Sequence, residues 1–209
     1  AESAGGPKAV KYGVTKDYVL NMEVVLADGN VIWTGANVLK NATGYNLTQL
    51  MIGSEGTLGI ITKIVFKLLS FPSKSITLLV PFQSAENACS AVSAIFREGI
   101  TPSGLEFMER EAIVWTCKHT GLNVKLDDTT EAHLLIEVDG NDMDALYKDC
   151  EKISMVVEKF GSGEILIADT EIQKIELWKL RRSVAEAVKS HSIYKEEDTV
   201  VPRAKLANL

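Results

Sequence analysis

Residues 43–62, TGYNLTQLMIGSEGTLGIIT, gather the types and spacings in this chain that could do chemistry. Gly53, Gly56 and Gly59 stand as Gly-x-x-Gly-x-x-Gly, with Gly44 ahead of them. Glycine loses the most chain freedom on folding, so such a run is kept where a turn, a bulge or close backbone approach requires it. Main-chain N–H groups over 56–60 could face the phosphate or base of a nucleotide. The spacing fits neither common loop. No Lys follows as in Gly-x-x-x-x-Gly-Lys-Ser/Thr, and a strand rather than a helix follows the run. A Glu55 carboxylate beside a pyrophosphate would be repelled, so its expected role is to accept from a ribose hydroxyl or a neighbouring N–H. A structural turn between a short helix and a strand accounts for the spacing equally well.

Arg181 is a second candidate. On a helical wheel from Thr170 onward, Leu177, Trp178, Leu180, Val184, Ala185 and Val188 share one broad arc, and Arg181 lies within it. Arg182 falls outside, placed to pair with Glu186 at i, i+4. A guanidinium on an apolar face needs a partner. Its planar fork suits a carboxylate, supplied by a substrate or by a structural Glu, or the side chain snorkels to water. His133 alternates onto the polar face of its strand with Glu137 and is expected to be solvated. His119 and His191 lie near helix ends, where a cation is favoured. Trp115 and Trp178 are expected in the core.

The elements that position these residues follow from pattern. Tyr18, Leu20, Met22, Val24 and Leu26 alternate as a strand, Asp28-Gly29 turns the chain, and NVIWT returns. Ile64, Phe66 and Leu68 share one strand face. FPSKS, residues 71–75, is the expected linker. Beyond it, Ile76, Leu78, Val80 and Phe82 mark a strand, and Ser84 caps a helix that Gly99 ends. A strand near SGLEFM precedes a helix over 112–119, and Leu134, Ile136 and Val138 mark another strand. Asp142 caps a helix closed by Gly161, and EILIA is a short strand. Thr170-x-x-Gln173 is a capping box opening a last helix to about Lys189. This order predicts an antiparallel α+β layer.

Composition narrows the function. The 209 residues allow one large or two small domains, and 46 % apolar content supports a buried core. The net charge of −6, without a basic tail, argues against a nucleic-acid partner. Cys89, Cys117 and Cys150 are scattered, as reduced core thiols of a cytoplasmic protein would be. The three histidines lack metal-ligand spacing, so no metal is expected. No apolar run reaches the ~18 residues of a membrane span, and the start has no secretory pattern.

GPKAVKYGVTKDYVLNMEVVLADGNVIWTG, followed by LKNATGYNLTQLMIGSEGTLGIITKIVFKLL, resembles the FAD-linked 2-hydroxy-acid dehydrogenases and oxidases. These vanillyl-alcohol-oxidase-like flavoproteins include D-lactate dehydrogenase and the flavin subunit of glycolate oxidase. The resemblance implies an α+β protein. Residues 1–72 would be the C-terminal part of a two-subdomain FAD-binding domain, and 73–209 a truncated antiparallel-sheet cap domain for substrate. Residues matching the family's FAD-contact motifs are Ala4, Gly5 and Gly6, then Gly44 and Tyr45. Ser54, Glu55, Gly56, Gly59, Ile60 and Ile61 complete the set. Ser3 stands where the family usually has Asn, and Asn46 where it usually has Asp. Residues 178–181 match a Trp-x-x-Arg segment whose Arg, here Arg181, binds the substrate carboxylate. Residues 194–203 resemble a segment leading back to the flavin, with Pro202 and Arg203 as weaker candidates.

The family's pyrophosphate loop lies upstream of Ala1 and its His-x-Gly-Asp-Gly-Asn-x-His-like segment beyond Leu209. The resemblance therefore implies an internal fragment, inactive alone, without the catalytic base. The implied reaction takes the hydroxyl proton of a D-2-hydroxy acid to a base while the α-hydrogen leaves as hydride to flavin N5. Implied partners are the 2-hydroxy acid, an electron acceptor or partner subunit, a second copy of the chain, and the membrane periphery. The competing expectation is a non-catalytic α+β interaction module with a structural glycine turn.

Overall fold

A computed structural model describes residues 2–124 and 126–209. The chain divides into two compact units, Ala1–Phe71 and Pro72–Leu209.

The first unit contains α1 (Ala9–Tyr12), a 3-10 turn (Thr15–Asp17), β1 (Val19–Val25), β2 (Val31–Trp33), α2 (Leu47–Met51) and β3 (Ile60–Phe66). Its antiparallel sheet has the order β2-β1-β3. The expected hairpin is present. Gly29 has φ +84°, and the Asp28 carboxylate accepts from the Asn30 backbone N–H at 3.0 Å and side-chain amide at 2.7 Å. The core is small: Val19, Met22, Val24 and Met51. Two register shifts interrupt the β1·β3 ladder, so strict alternation fails along it. Asn21 is buried as a result. Its Oδ1 accepts from the N–H groups of Met22 and Gly35, and its Nδ2 donates to Asn37. Ile64, Phe66 and Leu68 are exposed.

The second unit runs β4 (Lys74–Phe82), α3 (Ala85–Arg97), β5 (Gly104–Glu109), α4 (Arg110–Thr120), β6 (Ala132–Gly140), α5 (Met143–Glu158), β7 (Leu166–Ala168), α6 (Glu171–Arg182), α7 (Val184–His191) and a 3-10 turn (Arg203–Asn208). The sheet order is β5-β6-β4-β7, antiparallel throughout. The expected caps are in place: Ser84 accepts from the Asn87 N–H, Asp142 from the Asp144 N–H, and Thr170 and Gln173 form a capping box. Gly99 and Gly161 adopt the positive φ that lets the chain leave each helix.

Both faces of this sheet are covered. Ile76, Leu78, Val80, Leu134 and Ile136 pack against α3 and α5. Leu79, Met108 and Leu135 pack on the other side against α4 and α6 through Ile113, Leu177 and Leu180. The face carrying His133 and Glu137, expected to be solvated, is therefore inside: His133 is 2 % exposed and Glu137 5 %. Two other expectations also change. Strand β4 begins at Lys74, inside the expected linker. The last helix is broken at Ser183 into α6 and α7, so the wheel joining Leu177 to Val188 does not describe one continuous face.

Among the described residues no group of His, Cys, Asp and Glu is arranged to hold a metal ion. Among the described residues no helix is long and apolar enough to cross a membrane. The cysteines are free, and burial first, then the Asp149 charge, pushes Cys150 up to about 11.

Candidate functional site

The glycine strip begins where α2 ends. Asn46 caps that helix, its Oδ1 accepting from the Gln49 N–H at 2.9 Å. The Ser54 carbonyl then accepts from the Thr57 N–H at 2.9 Å and the Thr57 hydroxyl at 2.6 Å, closing a tight turn. Its central residues, Glu55 and Gly56, have φ +50° and +84°. Both are positive, as in the type I′ turn, and only the second is glycine. Gly59 serves a different purpose. A Cβ there would lie 2.6 Å from Val24 Cγ1 and 2.8 Å from the Val25 carbonyl oxygen, so its bareness lets β3 lie against β1. A Cβ on Gly44, Gly53 or Gly56 would meet nothing within 4 Å. These glycines are required by φ, and their outer side is open.

Glu55, Gly56, Gly59, Ile60 and Ile61, all singled out from sequence, line one open cavity of about 520 Å³ together with Glu2, which was not. Gly44 and Tyr45 line a separate cavity of about 150 Å³ between β1 and residues 34–48. Ala4, Gly5, Gly6 and Ser54 line neither. Ala4 and Gly5 are held against the 3-10 turn, while the Gly6 carbonyl accepts from the Ala9 N–H at the start of α1. The Ala4 carbonyl accepts from Thr15 through both N–H and hydroxyl, and a Cβ on Gly5 would come within 2.8 Å of Val14.

One strained residue, Glu55, lines this cavity. Ser3 (φ +65°) and Glu55 (φ +50°) are the non-glycine residues with positive φ among those described. Such conformations cost on the order of 1 kcal/mol each and collect at ligand sites. The Ser3 hydroxyl is also buried, without a hydrogen-bond partner among the described residues. The Glu55 carboxylate makes no hydrogen bond among the described residues, and with Glu2 it gives the cavity an acidic rim. That rim repels phosphate and favours hydroxyl and N–H donors.

In the second unit, α6 turns Lys174, Trp178 and Arg181 onto one side, four and three residues apart. Each reaches a different strand. Lys174 Nζ donates to the Ser75 carbonyl (3.2 Å) and hydroxyl (3.3 Å) on β4, and pairs with Glu171. Trp178 Nε1 donates to Glu137 on β6, whose carboxylate also accepts from the Thr77 and Ser103 hydroxyls. Arg181 Nε donates to Glu106 Oε2 on β5 at 2.7 Å. The Arg181 side chain is 38 % exposed and that of Glu106 17 %. Gly104 makes room for Trp178, since a Cβ there would be 3.0 Å from the indole.

The remaining sequence candidates have structural partners. Arg182 lies over the Trp178 ring at 5.6 Å instead of pairing with Glu186, which faces His119 at 4.0 Å. Breaking the helix at Ser183 removes the i, i+4 geometry the pairing needed. His191 stacks on half-buried Trp115 with centroids 4.4 Å apart. Arg203 covers the Phe96 ring at 3.5 Å. His133 Nδ1 is buried without a hydrogen-bond partner among the described residues, and burial, reinforced by the Arg110 charge, lowers the ring to about 4. Sequence reading missed Glu2, Glu106, Lys174 and the buried Glu137. The consecutive apolar residues in TLLVPF and HLLIEV were the available signal that both sheet faces are covered.

Residues 71–209 match the family described as FAD linked oxidases, C-terminal domain. The chain belongs to the FAD-linked oxidases. This FAD-linked oxidase chain is 42 % identical over 212 residues to D-lactate dehydrogenase of Anaerostipes hadrus, covering 99 % of the chain and 45 % of that protein. It is 38 % identical to the glycolate oxidase subunit GlcD of Bacillus subtilis, covering all of the chain and 44 % of that subunit. It thus spans less than half the length of these curated relatives. A solved structure of alkyldihydroxyacetonephosphate synthase shares its fold, with a TM-score of 0.63 at 20 % identity, covering 90 % of this chain and 38 % of the other. The mixed fold with antiparallel sheets is that of FAD-linked oxidases. The cavity fits the hydroxyl- and N–H-bearing parts of a flavin dinucleotide: it is open beside Gly56 and edged by a Glu55 carboxylate that makes no hydrogen bond among the described residues.

Proposed function

We propose that this chain belongs to an FAD-dependent oxidoreductase that oxidises a D-2-hydroxy acid of the lactate or glycolate type. The observation that carries the reading is the convergence of Glu55, Gly56, Gly59, Ile60 and Ile61 on one cavity at a strained turn. The names of the relatives, D-lactate dehydrogenase and glycolate oxidase subunit, supply the substrate class. In this reading residues 1–72 contribute to flavin binding and 73–209 to substrate binding.

Bound FAD supplies the hydride acceptor, at N5 of its ring. The chain's own residues do the rest by positioning. Backbone N–H groups of the strip approach the cofactor where no Cβ intervenes, and Glu55 takes its hydroxyl or N–H groups. Gly44 and Tyr45 hold a second part of it. Arg181 offers its guanidinium to the substrate carboxylate, which fixes the α-carbon for reaction. The proton acceptor is assigned to no residue of this chain. The relative named as a subunit supports delivery of electrons to a partner subunit, and the free, partly buried thiols support a reducing, cytoplasmic setting.

Titrating the full-length protein with FAD, then adding D-lactate, glycolate or D-2-hydroxyglutarate without oxygen, tests the reading. The expected result is a yellow protein whose flavin bands bleach with at least one of these acids. A protein that takes up no FAD overturns it in favour of a non-catalytic module.

A further inference from the structure

We infer that Glu106 is a positioning residue for substrate recognition: it aims Arg181 by engaging Nε alone and leaves both terminal guanidinium nitrogens for the substrate carboxylate. The inference rests on the reading of Arg181 given above and adds a residue to it.

The pair is not built as a purely structural salt bridge would be. A buried Arg–carboxylate pair gains most from two parallel bonds, with both carboxylate oxygens against the fork. Here one oxygen, Oε2, meets Nε at 2.7 Å, and among the described residues no bond to the terminal nitrogens is present. The carboxylate is well covered while the Arg181 side chain is 38 % exposed, so the guanidinium is anchored from the protein side and open on the other. Glu106 is itself held firmly. It sits within β5, directly across from Leu135 on β6, rather than in a loop. One turn of α6 earlier, Trp178 presses against Gly104 and bonds Glu137, which fixes the helix that carries Arg181. With Nε occupied, an incoming carboxylate is restricted to the terminal nitrogens. That end-on approach removes the side-on alternative, and the entropy of holding a long side chain in one rotamer is met before substrate arrives. The Glu106 charge also offsets that of Arg181 while the site is empty.

The test is a double-mutant cycle in the FAD-loaded full-length protein, with variants Glu106→Gln, Glu106→Asp, Arg181→Ala and Glu106→Gln/Arg181→Ala. Steady-state kinetics with the preferred hydroxy acid are read beside the Kd of propionate, which carries the carboxylate without the hydroxyl. Propionate binding is followed by perturbation of the flavin spectrum. Glu106→Gln is expected to raise KM and the propionate Kd in parallel by roughly tenfold, the scale of one charge-assisted hydrogen bond, with kcat changed by less than about threefold. Glu106→Asp, which keeps the charge but shortens the reach, falls between Gln and wild type. In the Arg181→Ala background the Glu106→Gln effect disappears, because there is no guanidinium left to aim. A purely structural pair would instead lower the unfolding midpoint of Glu106→Gln and leave its KM and propionate Kd in place.

A strong Arg181→Ala effect with KM unchanged or lowered in Glu106→Gln overturns the role of Glu106 and leaves the substrate reading standing. No change of KM in Arg181→Ala overturns both. Should Glu106→Gln fail to fold, the propionate Kd of Glu106→Asp decides, and a value equal to wild type counts against the inference.

Discussion

Glycines a few residues apart in the strip do unlike jobs, and single substitutions separate them. Gly59→Ala forces a methyl group onto the Val25 carbonyl, which is backbone and cannot swing aside. The expected loss is about 1–3 kcal/mol of stability, read by urea unfolding. Gly56→Ala meets no neighbour and pays only for φ +84°, about 1 kcal/mol, yet it puts a methyl group on the cavity wall. The folded Gly56→Ala protein should therefore bind FAD more weakly, measured by flavin fluorescence. Equal FAD affinity in Gly56→Ala and wild type would remove this turn from the cofactor site. The repeat and the following strand were legible from residue types. Which glycine abuts protein and which abuts open space was not, because that depends on Val24 and Val25 of a strand more than thirty residues away.

Helix α6 is fastened to the sheet by polar contacts on three strands: Lys174 to β4, Trp178 to β6 and Arg181 to β5. Trp178→Phe keeps the apolar bulk and removes the indole donor from buried Glu137. An expected cost of about 1–3 kcal/mol follows from leaving a buried carboxylate short of a partner, checked by chemical denaturation. Loosening the middle contact also frees Arg181 one turn on, so KM for the hydroxy acid should rise in the same variant. The helix itself was readable from the capping box at Thr170 and Gln173. Its polar latches were not, since Glu137 reads as part of a solvated strand face and no spacing links Lys174 to Ser75.

Stability of the whole molecule carries a pH signature from the covered face. His133 has an ordinary value of 6.5 in the unfolded chain and about 4 when folded, because burial, and then the Arg110 charge, oppose its proton. The unfolded state therefore binds this proton first as pH falls. Stability is full above 6.5 and declines as pH drops toward 4, by at most about 3 kcal/mol. The Lys63 ammonium holds Glu23, and the Asn30 backbone N–H holds Asp28, below the usual carboxylate range, so their contributions fade only at lower pH. Urea midpoints measured from about pH 8 to pH 5 should slope downward, and His133→Leu should flatten that slope. An unchanged slope in His133→Leu would show that another group is responsible.

Local signals determined much of this protein. Apolar alternation, the Asp28-Gly29 turn, the helix caps and the density of the glycine strip each depend on residues within a few positions of one another, and they specify the elements and the family. Tertiary structure alone decided three things. It covered the second sheet face and buried His133 and Glu137, it brought Glu2 to the cavity of the strip, and it set Glu106 against Arg181. Each joins residues far apart in the chain, where the outcome depends on how layers stack and registers shift, and neighbour spacing carries no record of that.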